Sequence, residues 1–240
     1  MGEATFSTRS FIKWKHEPYF NEPTSTWVLT ASNNEFVDTR VVLDQKSISK
    51  NWFVAGLEDE IETKKDYLFS IAFIHKLDNF CKPGEEPGKD VGHFKNIEKT
   101  IPGFEELFKP EDYEVLNFDH HRLEEGCMGN PDANDEIEDY QEIWNTLDPI
   151  NSTADSLLSL TQKSEKIHSR VYKIFDSEGE EYGRYIKIGK FGMGICLSSE
   201  KEFVVTRTFE NKCIYESHTN ANDLFQCEQS ESEWQLTYED

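Results

Sequence analysis

The stretch "GRYIKIGKFGMGI", residues 183–195, places Gly189, Gly192 and Gly194 among large apolar side chains. Glycines at such spacing occur either in loops that cradle a phosphate or at bends of β-strands. A dinucleotide fingerprint reads G-x-G-x-x-G and leads into a helix, whereas here the order is G-x-x-G-x-G and the next residues are "ICLSSEKEFVVTRTF". Because that continuation has a strand pattern, no helix N-terminus is available for a phosphate. The stretch therefore predicts curved β-strands.

The first half of the chain also predicts strands. Segments 24–32 ("TSTWVLTAS") and 35–44 ("EFVDTRVVLD") alternate apolar and polar residues on either side of Asn33-Asn34. Asparagine tolerates the positive φ of a tight turn, so the pattern indicates a hairpin. Segments 50–58 and 64–78 continue the alternation. We expect these strands to form an antiparallel meander that closes into a small barrel.

The middle of the chain is strongly acidic. Residues 111–142 contain twelve acidic residues and one basic residue, which predicts a solvated acidic connector. The segment "DYQEIWNTLDP" begins inside this acidic stretch and continues past its end. It predicts a short amphipathic helix over 139–148 that ends at Pro149. Its inward face would hold Ile143, Trp144 and Leu147. Strand patterns then resume, and no βαβ alternation typical of a doubly wound sheet is present.

Charge and cysteine usage exclude several classes of protein. The 240 residues include 47 acidic and 25 basic ones, a formal charge of −22, which repels nucleic-acid phosphates and anionic membranes. The five cysteines are widely spaced and form no CxxC pair, as is typical of reduced thiols in the cytosol. Neither a signal peptide nor a membrane-spanning run is predicted.

No motif predicts a catalytic, cofactor or metal site. The densest group of ligand-type residues surrounds His120-His121, but adjacent residues of a strand point to opposite faces and cannot easily share one metal. A G-x-S-x-G elbow and the local cysteine signatures of known nucleophiles are missing from the sequence. We therefore expect a protein that is not an enzyme and has no cofactor.

A series of motifs resembles the fungal HRI-one family, which is named for interaction with a casein kinase I. The similar segments are "EPTSTWVLTASNNEFVDTRVVL", "NWFVAGLEDE", "LEEGCMGNP", "DYQEIWNTLDP" and "GRYIKIGKFGMGI". Asn34 stands at the usual turn glycine of the family, and Val54 interrupts its aromatic-Ala-Gly run. The matches occur in the same order over most of the chain.

The resemblance implies a fold and a location. It implies two lipocalin-like antiparallel β-barrel domains, residues 1–110 and 111–240, the second including the acidic connector and the short helix 139–148. It also implies a cytoplasmic protein, with the nucleus as a second location, and no established catalytic activity. No catalytic residue of the family can be transferred to this chain.

Two functions follow as hypotheses. The first is a protein-interaction role, as adaptor or substrate of a casein-kinase-I-type enzyme, because such kinases prefer acidic flanks. The hydroxyls downstream of the acidic segment define the expected phosphorylation region: Ser152, Thr153, Ser156 and Ser159. The alternative is the binding of a small hydrophobic ligand in a barrel cavity. Its expected wall residues are Trp27, Trp52, Phe69 and Phe73.

Overall fold

The computed structural model describes most of the chain in thirteen segments. These are residues 2–44, 50–81, 85–97, 103–114, 116, 119–130, 133, 136–161, 166–198, 202–218, 220–225, 227–228 and 233–240. Within them, fourteen β-strands form two sheets. The fold is mainly β, as predicted.

The first sheet is a closed antiparallel barrel of eight strands in sequential order, with β1 paired to β8. The strands are β1 (Thr5–Trp14), β2 (Thr24–Thr30), β3 (Glu35–Val42), β4 (Trp52–Ile61), β5 (Phe69–Asp78), β6 (Lys89–Asn96), β7 (His121–Asn130) and β8 (Glu136–Leu147). Asn34 has φ 68° at the β2–β3 turn, which confirms the hairpin and its physical basis.

The second sheet has six strands in the order β13-β12-β11-β10-β9-β14. They are β9 (Ser169–Phe175), β10 (Glu181–Ile188), β11 (Phe191–Leu197), β12 (Phe203–Phe209), β13 (Lys212–Glu216) and β14 (Gln235–Glu239). The stretch 183–195 forms β10 and β11, joined by a turn in which Gly189 has φ +55°. Strand β12 follows β11, so the preference for strands over a phosphate loop is confirmed.

The described helices are short. A 3-10 turn at Glu105–Leu107 and helix α1 (Pro110–Glu114) precede β7, and a second 3-10 turn spans Ala221–Leu224. Phe104 and Phe108, around the first turn, pack with Phe11 of β1 and Ile143 of β8. This segment therefore covers an apolar patch on the outer wall of the barrel.

The predicted helix over 139–148 is wrong, and the acidic connector is not confirmed. Residues 121–130 and 136–147 are the last two barrel strands, and β8 pairs with both β1 and β7. Pairing on both sides satisfies the backbone of β8 and overrides the helical spacing of its apolar residues. Ile143 packs in the outer cluster while Trp144 lines the interior. The expected domain boundary at 110/111 lies between β6 and β7.

A second lipocalin-like barrel is not confirmed either. Among the described residues, β13 and β14 are the ends of the second sheet, and the sheet packs one apolar face on the outer wall of the barrel. Phe191 of β11 contacts Phe6 and Trp27 at ring-centroid distances of 4.8 and 5.9 Å. An apolar sheet face must be covered, and here the neighbouring barrel covers it.

Two buried arginines of the second sheet donate hydrogen bonds to the barrel. Arg207 of β12 reaches Ser25 and Thr39 on β2 and β3, and its guanidinium carbon lies 4.7 Å from the Trp27 ring centroid. Arg184 of β10 donates to the carbonyl of Gly56. The junction is therefore an apolar layer bordered by directional polar contacts.

Candidate functional site

The interior of the barrel is filled by its own side chains. The internal cavity has a volume of about 40 Å³, enough for a few water molecules at most. Charged, phenolic and indole groups line part of it: Asp38, Arg40, Glu124, Tyr140 and Trp144. The interior is therefore a polar, packed core and leaves no room there for a small-molecule ligand.

An ionic network occupies one end of this interior. Glu142, 1% exposed, accepts from Arg9 Nη1 at 2.5 Å and from Arg40 Nη1 at 3.3 Å. Arg9 Nε also lies 2.8 Å from Glu22, and Arg40 Nε lies 2.9 Å from Asp38. Burial lowers the pKa of Arg9, but Glu142 and Glu22 raise it by more. Each buried cation is thus held by two carboxylates.

Glu124 of β7 adds a second acidic centre beside this network. Its Oε1 accepts a 2.7 Å hydrogen bond from the hydroxyl of Tyr140. Burial raises the pKa of Glu124, and the charge of Glu142 raises it further. Glu124 therefore favours its neutral form more than an exposed glutamate does.

A third inward carboxyl, Glu58 of β4, makes stability depend on pH. Burial raises its pKa to about 7, although Thr30 Oγ1 donates to it at 2.7 Å. The folded state then holds a proton that the unfolded chain has lost, so stability falls as pH rises from about 4.5 to 7. We expect Glu58→Gln to make the decrease in the free energy of unfolding between these pH values smaller by about 2 kcal/mol. One pKa unit corresponds to about 1.4 kcal/mol, and the partial exposure of Glu58 reduces the full value of the shift.

Urea unfolding at a series of pH values measures this effect. Glu60→Gln, on the same strand but exposed, is the matched control. If the two variants share the pH profile of the unchanged protein, Glu58 does not titrate as described.

The accessible part of the site is a cavity of about 370 Å³ at one mouth of the barrel. It lies where β1 and β3 end and where β2 and β4 begin. Apolar side chains form much of its wall: Ile12, Trp14, Val42, Leu43, Trp52 and Met128. Arg9, Glu22 and Arg40 of the ionic network also line it. The mouth therefore combines an apolar wall with a charged floor.

Trp52 and Arg40 connect this mouth with the interior, because both side chains line the two cavities. The Arg40 guanidinium lies 4.6 Å from the Trp52 ring centroid, a cation–π contact. Trp52 Nε1 donates to Asp78 Oδ1 at 3.0 Å. These contacts hold the indole in place as a wall of the mouth.

Only some of the expected cavity residues face a cavity. Trp52 lines the mouth and the interior cavity, and Phe73 lines the interior one. Phe69 stacks on Phe94 with ring centroids 4.7 Å apart. Trp27 lies away from both cavities, because its ring is on the outer face of β2 against Phe191. A period of two separates the faces of a strand but does not say which face is inside.

The expected phosphorylation region lies directly after β8. Ser152 is buried, and its Oγ accepts from the backbone N–H of Leu158 at 2.9 Å. Thr153 and Ser156 are exposed and pair with each other across a tight turn. Ser159 is half-buried and lies 3.0 Å from Asn145 Nδ2. Residues 162–165 of the same hydroxyl-rich segment lie outside the described residues.

Sequence reasoning missed the ionic network. One signal was available, since the alternation Tyr140, Glu142, Trp144 places a glutamate between two aromatic residues on one face of a strand. Nothing near Arg9 in the sequence indicates its pairing with Glu142, which is 133 positions away. Tertiary contact alone assembles this group.

The described part of the chain contains neither a metal cluster nor a membrane-spanning helix. Its His, Cys, Asp and Glu side chains form no group of three or more that could hold a metal ion. His121 is buried, with Nε2 3.0 Å from Ser10 Oγ. Over the same residues, every helix is too short or too polar to cross a membrane.

Comparison with known proteins supplies one family and one structure. A family model described as "Protein HRI1" matches residues 5–239. The crystal structure of the uncharacterized protein YLR301w from Saccharomyces cerevisiae is similar, with a TM-score of 0.70 and 16% sequence identity over 99% of each chain. At that identity the likeness shows the fold alone. A search of curated proteins gave no match.

Proposed function

The chain belongs to the HRI1 protein family over nearly its whole length, and from that premise and the geometry of its barrel we propose that it is a non-catalytic binding protein for a small, uncharged amphipathic molecule. The observation that carries this proposal is the cavity of about 370 Å³ at the barrel mouth. Ligand sites typically enclose about 300–1,000 Å³, so the mouth is large enough and the interior cavity is not.

The wall of the mouth supports an apolar ligand body. Trp14 is 7% exposed and Met128 is 4% exposed, so both present fixed apolar surface to the mouth. Leu43, at the rim, is 63% exposed and would gain burial from a bound molecule.

The floor of the mouth supports an uncharged polar group. Arg9 and Arg40 are each paired with two carboxylates, so an anionic head group would compete with Glu22, Asp38 and Glu142. A hydroxyl or amide can exchange hydrogen bonds with these groups without bringing an unpaired charge into a buried site.

Fluorescence of N-phenyl-1-naphthylamine, an uncharged apolar probe, tests the proposal. We expect saturable enhancement with the unchanged protein. Leu43→Asp should weaken binding about tenfold or more, because it places a carboxylate at the apolar rim. Leu236→Asp, the same substitution at a residue 49% exposed on β14, is the control and should bind as the unchanged protein does. Equal affinities of the two variants for the probe would show that the probe does not bind at the barrel mouth.

A second candidate function is that of a substrate of a casein-kinase-I-type enzyme. The observation that favours it is the exposure of Thr153 and Ser156 in a turn that also contains Asp155. We expect phosphorylation of these two residues and none of Ser152, whose hydroxyl is buried. Incubation with the kinase and ATP followed by mass spectrometry is the measurement. No phosphate between residues 147 and 170 would contradict this candidate.

A further inference from the structure

A groove of about 460 Å³ lies on the outer wall of the barrel, separate from the mouth. Four residues in register form its base across β1, β8, β7 and β6. Lys13 pairs with Gln141, Gln141 with Glu125, and Glu125 with His93. Residues opposite each other on neighbouring strands point to the same face, so these side chains form one row. Lys64 and Tyr67, before β5, border the row.

The acidic groups of this groove are already paired. Glu125 accepts from Tyr67, from Lys95 Nζ at 2.9 Å and from Gln141 Nε2 at 2.7 Å. At the exposed rim, Lys15 Nζ lies 2.8 Å from Asp139. No carboxylate of the groove is therefore left to neutralise a further cation.

Two lysines of the groove keep their charge available. Within the described segments, neither Lys13 nor Lys64 has a carboxylate within 4.0 Å, and Lys64 Nζ lies 5.4 Å from the ring centroid of Tyr67. Two such ammonium groups beside one concave surface are unexpected in a chain with a formal charge of −22. They create a local positive potential.

His93 adds a neutral hydrogen-bond donor. Ser70 Oγ accepts from the backbone N–H of Lys64 at 3.3 Å and lies 2.8 Å from His93 Nδ1. When the serine hydroxyl donates to Nδ1, the ring proton of the neutral imidazole lies on Nε2. Burial lowers the pKa of His93, and the charge of Lys64 lowers it further. At neutral pH the imidazole can donate a hydrogen bond from Nε2.

We propose that this groove binds the phosphoryl group of a small phosphorylated molecule, with Lys13 and Lys64 as charge partners and His93 as donor. Lysine ammonium groups bind phosphate as point charges. The chain as a whole repels polyanions, which disfavours nucleic acid. A compact dianion inside the groove responds mainly to charges within a Debye length of about 8 Å, and Lys13 and Lys64 line the groove itself.

Cys127 provides a local reporter, because its exposed side chain lines the groove. Alkylation by uncharged iodoacetamide, followed by mass spectrometry at constant ionic strength, would be titrated with inorganic phosphate and with glycerol 3-phosphate. We expect saturable, several-fold slower labelling of Cys127. Labelling of Cys213, exposed on β13, should not change and serves as the internal reference.

Two double variants complete the experiment. Lys13→Gln with Lys64→Gln should weaken protection by about tenfold or more. Lys190→Gln with Lys212→Gln changes the net charge equally outside the groove and should leave protection unchanged. Stronger protection by glycerol 3-phosphate identifies a phosphorylated metabolite as the ligand, and equal protection identifies free phosphate. The absence of saturable protection, or an equal loss in both double variants, would overturn the proposal.

Discussion

The Glu142→Gln variant is expected to lose about 3–5 kcal/mol of its free energy of unfolding. Glu142 is 1% exposed, and its carboxylate accepts from both Arg9 and Arg40. Glutamine keeps the shape of the side chain and removes its charge, so two guanidinium groups stay buried with one anionic partner fewer. Urea unfolding followed by tryptophan fluorescence measures the loss.

Two further variants separate charge from packing in this prediction. Glu136→Gln, exposed at the start of the same strand, should change stability by less than about 0.5 kcal/mol. Adding Arg40→Met to Glu142→Gln should not restore stability, because Arg40 still pairs with Asp38 at 2.9 Å and its removal leaves that buried carboxylate without a cation. A Glu142→Gln effect as small as that of Glu136→Gln would contradict the ionic account of the barrel interior.

The Arg207→Ala variant is expected to lose a similar amount, about 3–5 kcal/mol. Arg207 Nη2 donates to the carbonyls of Ser25 and Thr39, at 2.7 Å each, and Nε donates to Thr39 Oγ1 at 2.9 Å. Alanine leaves both carbonyls without these donors and opens a cavity beside Trp27. The lost contacts lie at the junction between the second sheet and the barrel. Urea unfolding measures the resulting change in the free energy of unfolding.

An exposed arginine of the second sheet, Arg170, is the control for Arg207. Arg170→Ala removes ion pairs with Glu228 and Glu239 at a side chain 45% exposed, and we expect a loss of about 1 kcal/mol or less. Arg207→Lys should lie between the two alanine variants, because one ammonium cannot reproduce a guanidinium that spans two strands. Equal effects of Arg207→Ala and Arg170→Ala would show that the buried contacts do not stabilise the junction.

Local patterns were sufficient for many of the strands. The β2–β3 hairpin was predictable because Asn34 can adopt a positive φ, and this requirement is satisfied by the residue itself. The strands over 183–195 were predictable for a related reason, since the residues after Gly194 lack the signals of a helix start.

Local patterns gave a wrong prediction where the apolar residues of one segment fit both the helical period and the strand period. Ile143, Trp144 and Leu147 fit one face of a helix, yet Ile143 and Trp144 pack on opposite faces of β8. Trp27 was expected as a wall residue of an apolar cavity enclosed by the barrel. The second sheet covers the outside of β2, so an apolar side chain is equally suited to the outer face.

The amino-acid sequence alone determined that this protein is mainly β, where its first hairpin turns and that the glycine-rich stretch forms strands, because these properties depend on neighbours along the chain. Tertiary structure alone decided that the last acidic segments close the barrel, that the second sheet packs against it and that Arg9 meets Glu142. These depend on strand pairing and burial between residues far apart in sequence, which no local pattern encodes.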